Sequence, residues 1–256
     1  MAEGRRLAPH RPRREAHCSA EALKWVGFGC LCLASFSTAV LQRGVLHLGE
    51  LTGTALYDAI KPGGDKMGWA SFAVLTSLLS TMAIPIYPKL LCEGWLHTRN
   101  QRKYLLRLLG LALLSEIPYD WAMTGKFVDF SVQNPVWGLA LGLLMLCIFQ
   151  QSEFWPGGRF LRVPVGLATL LWGMLLRIDL APMTVALCAI YALCAKRRKL
   201  ALGLATLVSM IQFPAPFGVF FVAWYDGRPA KTDGRIFYWL YPAQLLLFAL
   251  LASLLA

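Results

Sequence analysis

Residues 84–138 read IPIYPKLLCEGWLHTRNQRKYLLRLLGLALLSEIPYDWAMTGKFVDFSVQNPVWG. Glu93, His97, Arg99, Glu116, Asp120 and Asn134 lie in or beside two long apolar runs. Ionisable side chains are costly in lipid, so each one there marks a candidate site. The rest of the chain supplies the frame. It has 256 residues, of which 57% are hydrophobic and only 15% charged, well below the charged share of a soluble domain. Several apolar runs approach the ~18–20 residues that cross a bilayer. The expected fold is therefore all-α: a polytopic transmembrane helical bundle.

Working outward, about eight spans are expected: 23–41, 69–92, 104–122, 135–150, 163–177, 181–195, 200–222 and 236–255. Pro85 and Pro88 fall in the second, and Pro214 and Pro216 in the seventh, where each should kink or break a helix. Residues 1–20 carry five arginines and two prolines. They read as a disordered basic cytoplasmic tail, with a single transmembrane domain over 21–256. The net charge of +11 does not point to nucleic acid, because the basic residues sit between apolar runs. Alternating the spans puts most Lys and Arg on the side of the N-terminus, as the positive-inside rule asks, and leaves both termini cytoplasmic. The seven cysteines form no CxxC and behave as small hydrophobes, so no metal site is expected.

Each polar residue has a plain role beside a chemical one. Glu93 and His97 are four apart and share one helix face. They form either an acid–imidazole pair or two interfacial groups at a helix end, with Arg99 or Arg107 as a partner for Glu93. Glu116 and Asp120 straddle Pro118. They are either reactive acids or structural partners for Arg177 or Lys24. Asn134 precedes Pro135 and suits a helix cap. Glu93 and Glu116 should lie at different depths. The run Lys196–Lys199 is an orientation signal or a site for phosphates.

The elements EG-x-x-x-TRN (Glu93 to Asn100) and SE-x-P-x-D (Ser115 to Asp120), together with Leu23-Lys24-Trp25 and VQNPVWG, resemble the TraX family of bacterial membrane proteins. The resemblance runs from Leu23 to the C-terminal FYWLYPAQLLL. It implies a bacterial plasma (inner) membrane protein that acts as an acyl- or acetyltransferase. Acetyl-coenzyme A would be the donor, and a membrane peptide or envelope molecule the acceptor. On that pattern Glu93, His97 and Glu116 would be catalytic, and Arg99, Asp120, Asn134 and Asp179 would bind donor or substrate. The sequence departs from the family at three places. Leu33-Ala34-Ser35-Phe36 stands where an adjacent Asp-His is usual, Gln244 where Tyr-Pro-x-His ends, and Asp179-Leu180-Ala181 where Asp-Tyr-Gly is common. A non-catalytic scaffold that lost the pair is the alternative, and a small-solute transporter is a further one.

Overall fold

The computed structural model describes residues 18–48, 58, 61, 63, 64, 66–227 and 236–255. Of the expected basic tail, 1–20, residues 1–17 lie outside that set, and Ser19 and Ala20 already belong to the cap and start of the first helix. Cys18, at its boundary, is docked: its N–H donates to the Trp224 carbonyl at 3.2 Å, and its carbonyl accepts from Asp226 N at 3.0 Å.

The described residues form an all-helical bundle. Helix α1 (Ala20–Ser35) is capped by Ser19, whose side chain accepts from Ala22 N, and continues as a π-helical segment, Phe36–Val45. Helices α2 (Met67–Ser80) and α3 (Ala83–His97) return antiparallel to it. Phe36 meets the Phe72 ring, and Gly27 faces Ile86 and Tyr87. Helix α4 (Gln101–Thr124) begins at the Asn100 cap and ends at Gly125, whose φ of 79° is open to glycine without strain. Helix α5 (Val136–Ser152) runs back along α4, with the Gln101 and Gln150 side chains hydrogen-bonded at 2.5 Å. Helices α6 (Gly158–Leu175) and α7 (Ala181–Leu193) follow. Helix α10 (Ile236–Leu255) lies parallel to α1, with Trp25 on Phe237 and Phe36 on Phe248.

Two expectations change. Pro85 and Pro88 were expected to break the second span. The interruption falls one turn earlier, at Thr81–Met82. Pro85 has no N–H for the carbonyl four residues before it, and Thr81 O accepts from Ile84 N instead. Stretch 200–222 was expected to cross as a seventh span. It is a hairpin: α8 (Arg198–Ser209) rises, turns through Met210–Ala215, and α9 (Pro216–Trp224) returns. The Arg198 guanidinium closes its base on the Ala223 and Tyr225 carbonyls. The tip reaches the interruption in the second span, where Gly218 packs on the Met82 carbonyl. Among the described residues seven helical stretches thus cross the bundle beside this hairpin, the expected count of about eight spans is not confirmed, and the start of α1 and the end of α10 fall at opposite ends. Leu255 packs by Gly44, at the far end of the first helix from Lys24.

Among the described residues, three helical stretches are long and apolar enough to cross a membrane: Ala20–Val45, Met67–His97 and Ile236–Leu255. Helices α5 and α7 are short and apolar and fill the interior, with Leu143, Leu146, Leu187 and Cys188 fully buried. Small residues (Ala112, Ala205, Ala249) bring the helices close, as in other membrane bundles. The outward faces are apolar: Leu113, Leu171 and Leu254 stay 65%, 66% and 82% exposed. Such faces contact lipid rather than water.

Candidate functional site

One end of the bundle is basic. It carries Lys24 at the start of α1, Lys89 and His97 near the end of α3, Arg99, Arg102, Lys103 and Arg107 around the start of α4, and the run Lys196–Lys199 around the start of α8. A cavity of about 530 Å³ opens here and runs inward among α1, α3, α4, α5, α7 and α10. Lys24, Thr98, Arg107 and Tyr238 line its mouth. Leu108, Leu111, Leu139 and Phe28 line its middle. Pro135, Val136, Leu180 and Tyr241 close its inner end. No carboxylate lines it. Among the described residues, neither Lys24 nor Arg107 forms an ion pair.

The inner end is built by two loops held side by side. Gln133 N donates to Arg177 O at 2.9 Å, and Asp179 N donates to Gln133 O at 3.0 Å. This short pairing brings Asn134 and Asp179 together beside the second half of α4. Asn134 is fully buried. Its Oδ1 accepts from Val136 N at 2.9 Å, capping α5 as expected, and its Nδ2 donates to Ala112 O at 2.9 Å and to Glu116 Oε2. Glu116 also accepts from Trp137 Nε1 at 2.7 Å and from Asn134 N at 3.3 Å. Its partners are therefore Asn134 and Trp137, where Arg177 or Lys24 had been expected. Three donors on one carboxylate fix its place in the fold.

Asp179 is held more loosely. Tyr119 Oη donates to its Oδ2 at 3.3 Å. Burial pushes the Asp179 carboxyl above its ordinary range, against the opposing pull of the Tyr119 hydroxyl and the Leu180 N–H. The next residue, Leu180, lines the cavity with φ at 55°. That conformation costs a side-chain-bearing residue about 1 kcal/mol or more, so the backbone here is held by its surroundings. Tyr241 lines the cavity and lies close to both Asp179 and Glu116.

Asp120 is buried, and its Oδ2 accepts from Asp129 N at 2.9 Å, which ties the α4–α5 loop to the end of α4. Glu93 and His97 belong to the basic end, about 15 residues of α4 (~22 Å at 1.5 Å each) from Glu116, so the two acids do lie at different depths. Glu93 is engaged by Lys89 Nζ at 2.5 Å, not by Arg99 or Arg107. The His97 Nδ1 sits 2.8 Å from the Glu93 carbonyl and 3.8 Å from its carboxylate, and the ring is largely exposed. Arg99 is exposed in the α3–α4 turn. Gly94, not Glu93, lines the cavity.

The structure thus gathers Glu116, Asn134 and Asp179 and separates them from Glu93, His97 and Arg99. Reading the sequence did not single out Tyr119, Trp137 or Tyr241. Trp137 was marked only by its place in NPVWG, and Tyr241 only by the YPAQ element. A family model described as TraX protein matches residues 19–252. The chain belongs to the TraX family. Comparison with curated proteins and with solved structures finds no match. Two departures from the TraX pattern meet in the fold: Gln244 Nε2 donates to Ser35 Oγ at 3.2 Å, and both residues are buried.

Proposed function

We propose that this TraX-family membrane protein is an acyltransferase that takes its acyl group from coenzyme A at the basic end. One observation carries this: a single cavity connects two cations that form no ion pair among the described residues, Lys24 and Arg107, to an inner end at Tyr241, next to the loop that carries Asp179. Cations with free donors suit the phosphates of such a donor, and Arg99, Arg102 and Lys103 add charge at the same end. By the positive-inside rule that end faces the cytoplasm of a bacterial plasma membrane. A bound coenzyme A thioester, acetyl in the form the family resemblance implies, supplies the activated acyl group.

The chain's own groups divide the remaining work. Asp179 is the better proton acceptor for an amine or hydroxyl of the acceptor, a membrane peptide or envelope molecule. Burial raises its affinity for a proton, and a base tuned toward the working pH is the efficient one. Tyr241 presents a hydroxyl donor at the same end of the cavity, suited to charge developing on an acyl oxygen, while Tyr119 gives its one hydroxyl hydrogen to Asp179. Glu116, with its three donors, positions Asn134 and the α5 start. Glu93 and His97 lie too far off to share this proton and support the cytoplasmic rim.

The experiment measures calorimetric binding of acetyl-coenzyme A to purified protein, and label transfer from it into membrane fractions. Lys24→Ala and Arg107→Ala should weaken binding, and Asp179→Asn should abolish transfer while sparing binding. Full transfer in Asp179→Asn refutes the base assignment. No binding to a folded protein refutes the donor and leaves a scaffold.

A further inference from the structure

The main cavity is far larger and more apolar than an acetyl group needs. At ~30 Å³ for each methylene-sized volume, the liquid share of one water molecule, its 530 Å³ holds roughly a dozen or more carbons. Its middle is aliphatic and aromatic, its inner end is closed by Val136, Leu180 and Tyr241, and its charges sit only at the mouth. A second feature adjoins it. A groove of about 260 Å³ on the outer face between α4 and α10 shares Arg107, Leu111 and Tyr238 with the cavity and extends over Gly110, Leu114 and Trp239. Leu114 and Trp239 are 51% and 70% exposed, on a face that meets lipid. Gly110 leaves the groove floor open, with nothing within 4 Å of where a Cβ would stand.

We infer that this cavity binds one long acyl chain with an anionic head, entering sideways from the bilayer between α4 and α10. The charges are complementary: Lys24 and Arg107 meet the carboxylate or phosphate at the mouth, and the chain fills the apolar interior toward Tyr241. The burial is favourable at about 0.8 kcal/mol per methylene, so occupancy depends steeply on chain length. This rests on the acyl-transfer reading only in naming the group carried there as a fatty acyl chain; the binding stands by itself.

The test uses full-length protein in nanodiscs of neutral lipid and palmitate bearing a diazirine near its methyl end. After irradiation, labelled peptides should map to α4, α5 and α10, and excess palmitate should compete the label away. Leu111→Trp, which fills the shared wall, and Gly110→Trp, which plugs the groove, should each cut labelling tenfold or more. Gly29→Trp, at another position with no neighbour within 4 Å, should leave it unchanged. Arg107→Ala with Lys24→Ala should weaken competition by palmitate. Competition by palmitate, palmitoyl-coenzyme A and a lysophosphatidylglycerol then ranks free acid, thioester and phospholipid as sources of the same chemistry. Label spread over α6 and not displaced by palmitate would mean surrounding lipid only and overturn the inference, as would full labelling in Leu111→Trp. Acetyl-coenzyme A binding on the same samples separates the two ideas. If it persists without palmitate capture, the inference fails and the donor site stands. If palmitate is captured without it, the donor site fails and the inference stands.

Discussion

Replacing Gly218 with alanine tests the hairpin directly. A Cβ at this position would lie 2.1 Å from the Met82 carbonyl oxygen, 2.9 Å from its carbon and 2.8 Å from Pro85 Cγ. Two of those atoms are backbone, and the third is a proline ring, so nothing nearby can swing aside. The α9 helix would have to move off α3 by an ångström or more. Overpacking of this kind costs typically 1–3 kcal/mol and sometimes more, and the rigid neighbours put this site at about 3 kcal/mol. For a chain of this length that is a fall in melting temperature of roughly 10 °C. Gly203→Ala, on α8 of the same hairpin, is the internal control. Its Cβ meets nothing within 4 Å, and alanine gains up to about 1 kcal/mol of helix propensity there. Thermal unfolding of the purified variants in one detergent reads both signs. A straight seventh span would have no reason to press Gly218 on Met82. Equal melting temperatures for Gly218→Ala and wild type would refute the hairpin packing.

Removing the buried donors to Glu116 should be a stability defect first: Asn134→Leu takes away the side chain's three hydrogen bonds and should cost about 3 kcal/mol at roughly 1 kcal/mol each, read as a lower melting temperature at unchanged donor affinity. Asp179 gives a pH signature. Its folded carboxyl holds a proton more firmly than the unfolded one, so stability should rise as pH falls from its elevated value toward the ordinary carboxylate range, and the slope should become shallower in Asp179→Asn; an unchanged slope counts against the buried acid. Topology is checked by single cysteines in a cysteine-free background: residues introduced at Lys126 and Ser253 should label from one side of the membrane, and those at Arg99 and Lys199 from the other. Labelling of Ser253→Cys together with Arg99→Cys would overturn seven crossings.

The bundle was legible because its evidence is local. Long apolar runs set α5 and α10 within two residues of expectation, and Asn134 was recognisable as a cap from the proline after it. What escaped was non-local. Composition does not distinguish a span from a hairpin over 200–222, since both are apolar; Pro214 and Pro216 were the signal, and they mark the turn itself. The pairing of Gln133 with Ile178 joins loops more than 40 residues apart, and no spacing rule foretells that it sets Asn134 beside Asp179. Glu93 and His97 were attractive for the opposite reason. Their four-residue spacing is conspicuous in sequence, yet Lys89 lies one turn back on the same face and takes the carboxylate.

The neighbouring positions Ser35 and Gln244 carry the most weight for chemistry. In the family pattern an acid and imidazoles are usual at these two places, one on the first helix and one on the last. They are in contact here as one buried pair. An amide and a hydroxyl stand there in this chain and satisfy each other on one side, with the Gln244 Oε1 without a hydrogen-bond partner among the described residues. Neither group exchanges a proton near neutral pH, so this pair does no acid–base work. The π-helical segment begins at the next residue, Phe36, and α10 continues past Gln244 to the Arg43 contact at Ala249, so the pair now serves to hold α1 against α10. If the cavity carries out the acyl transfer proposed above, its proton acceptor is then Asp179, because Glu116 already accepts from three donors.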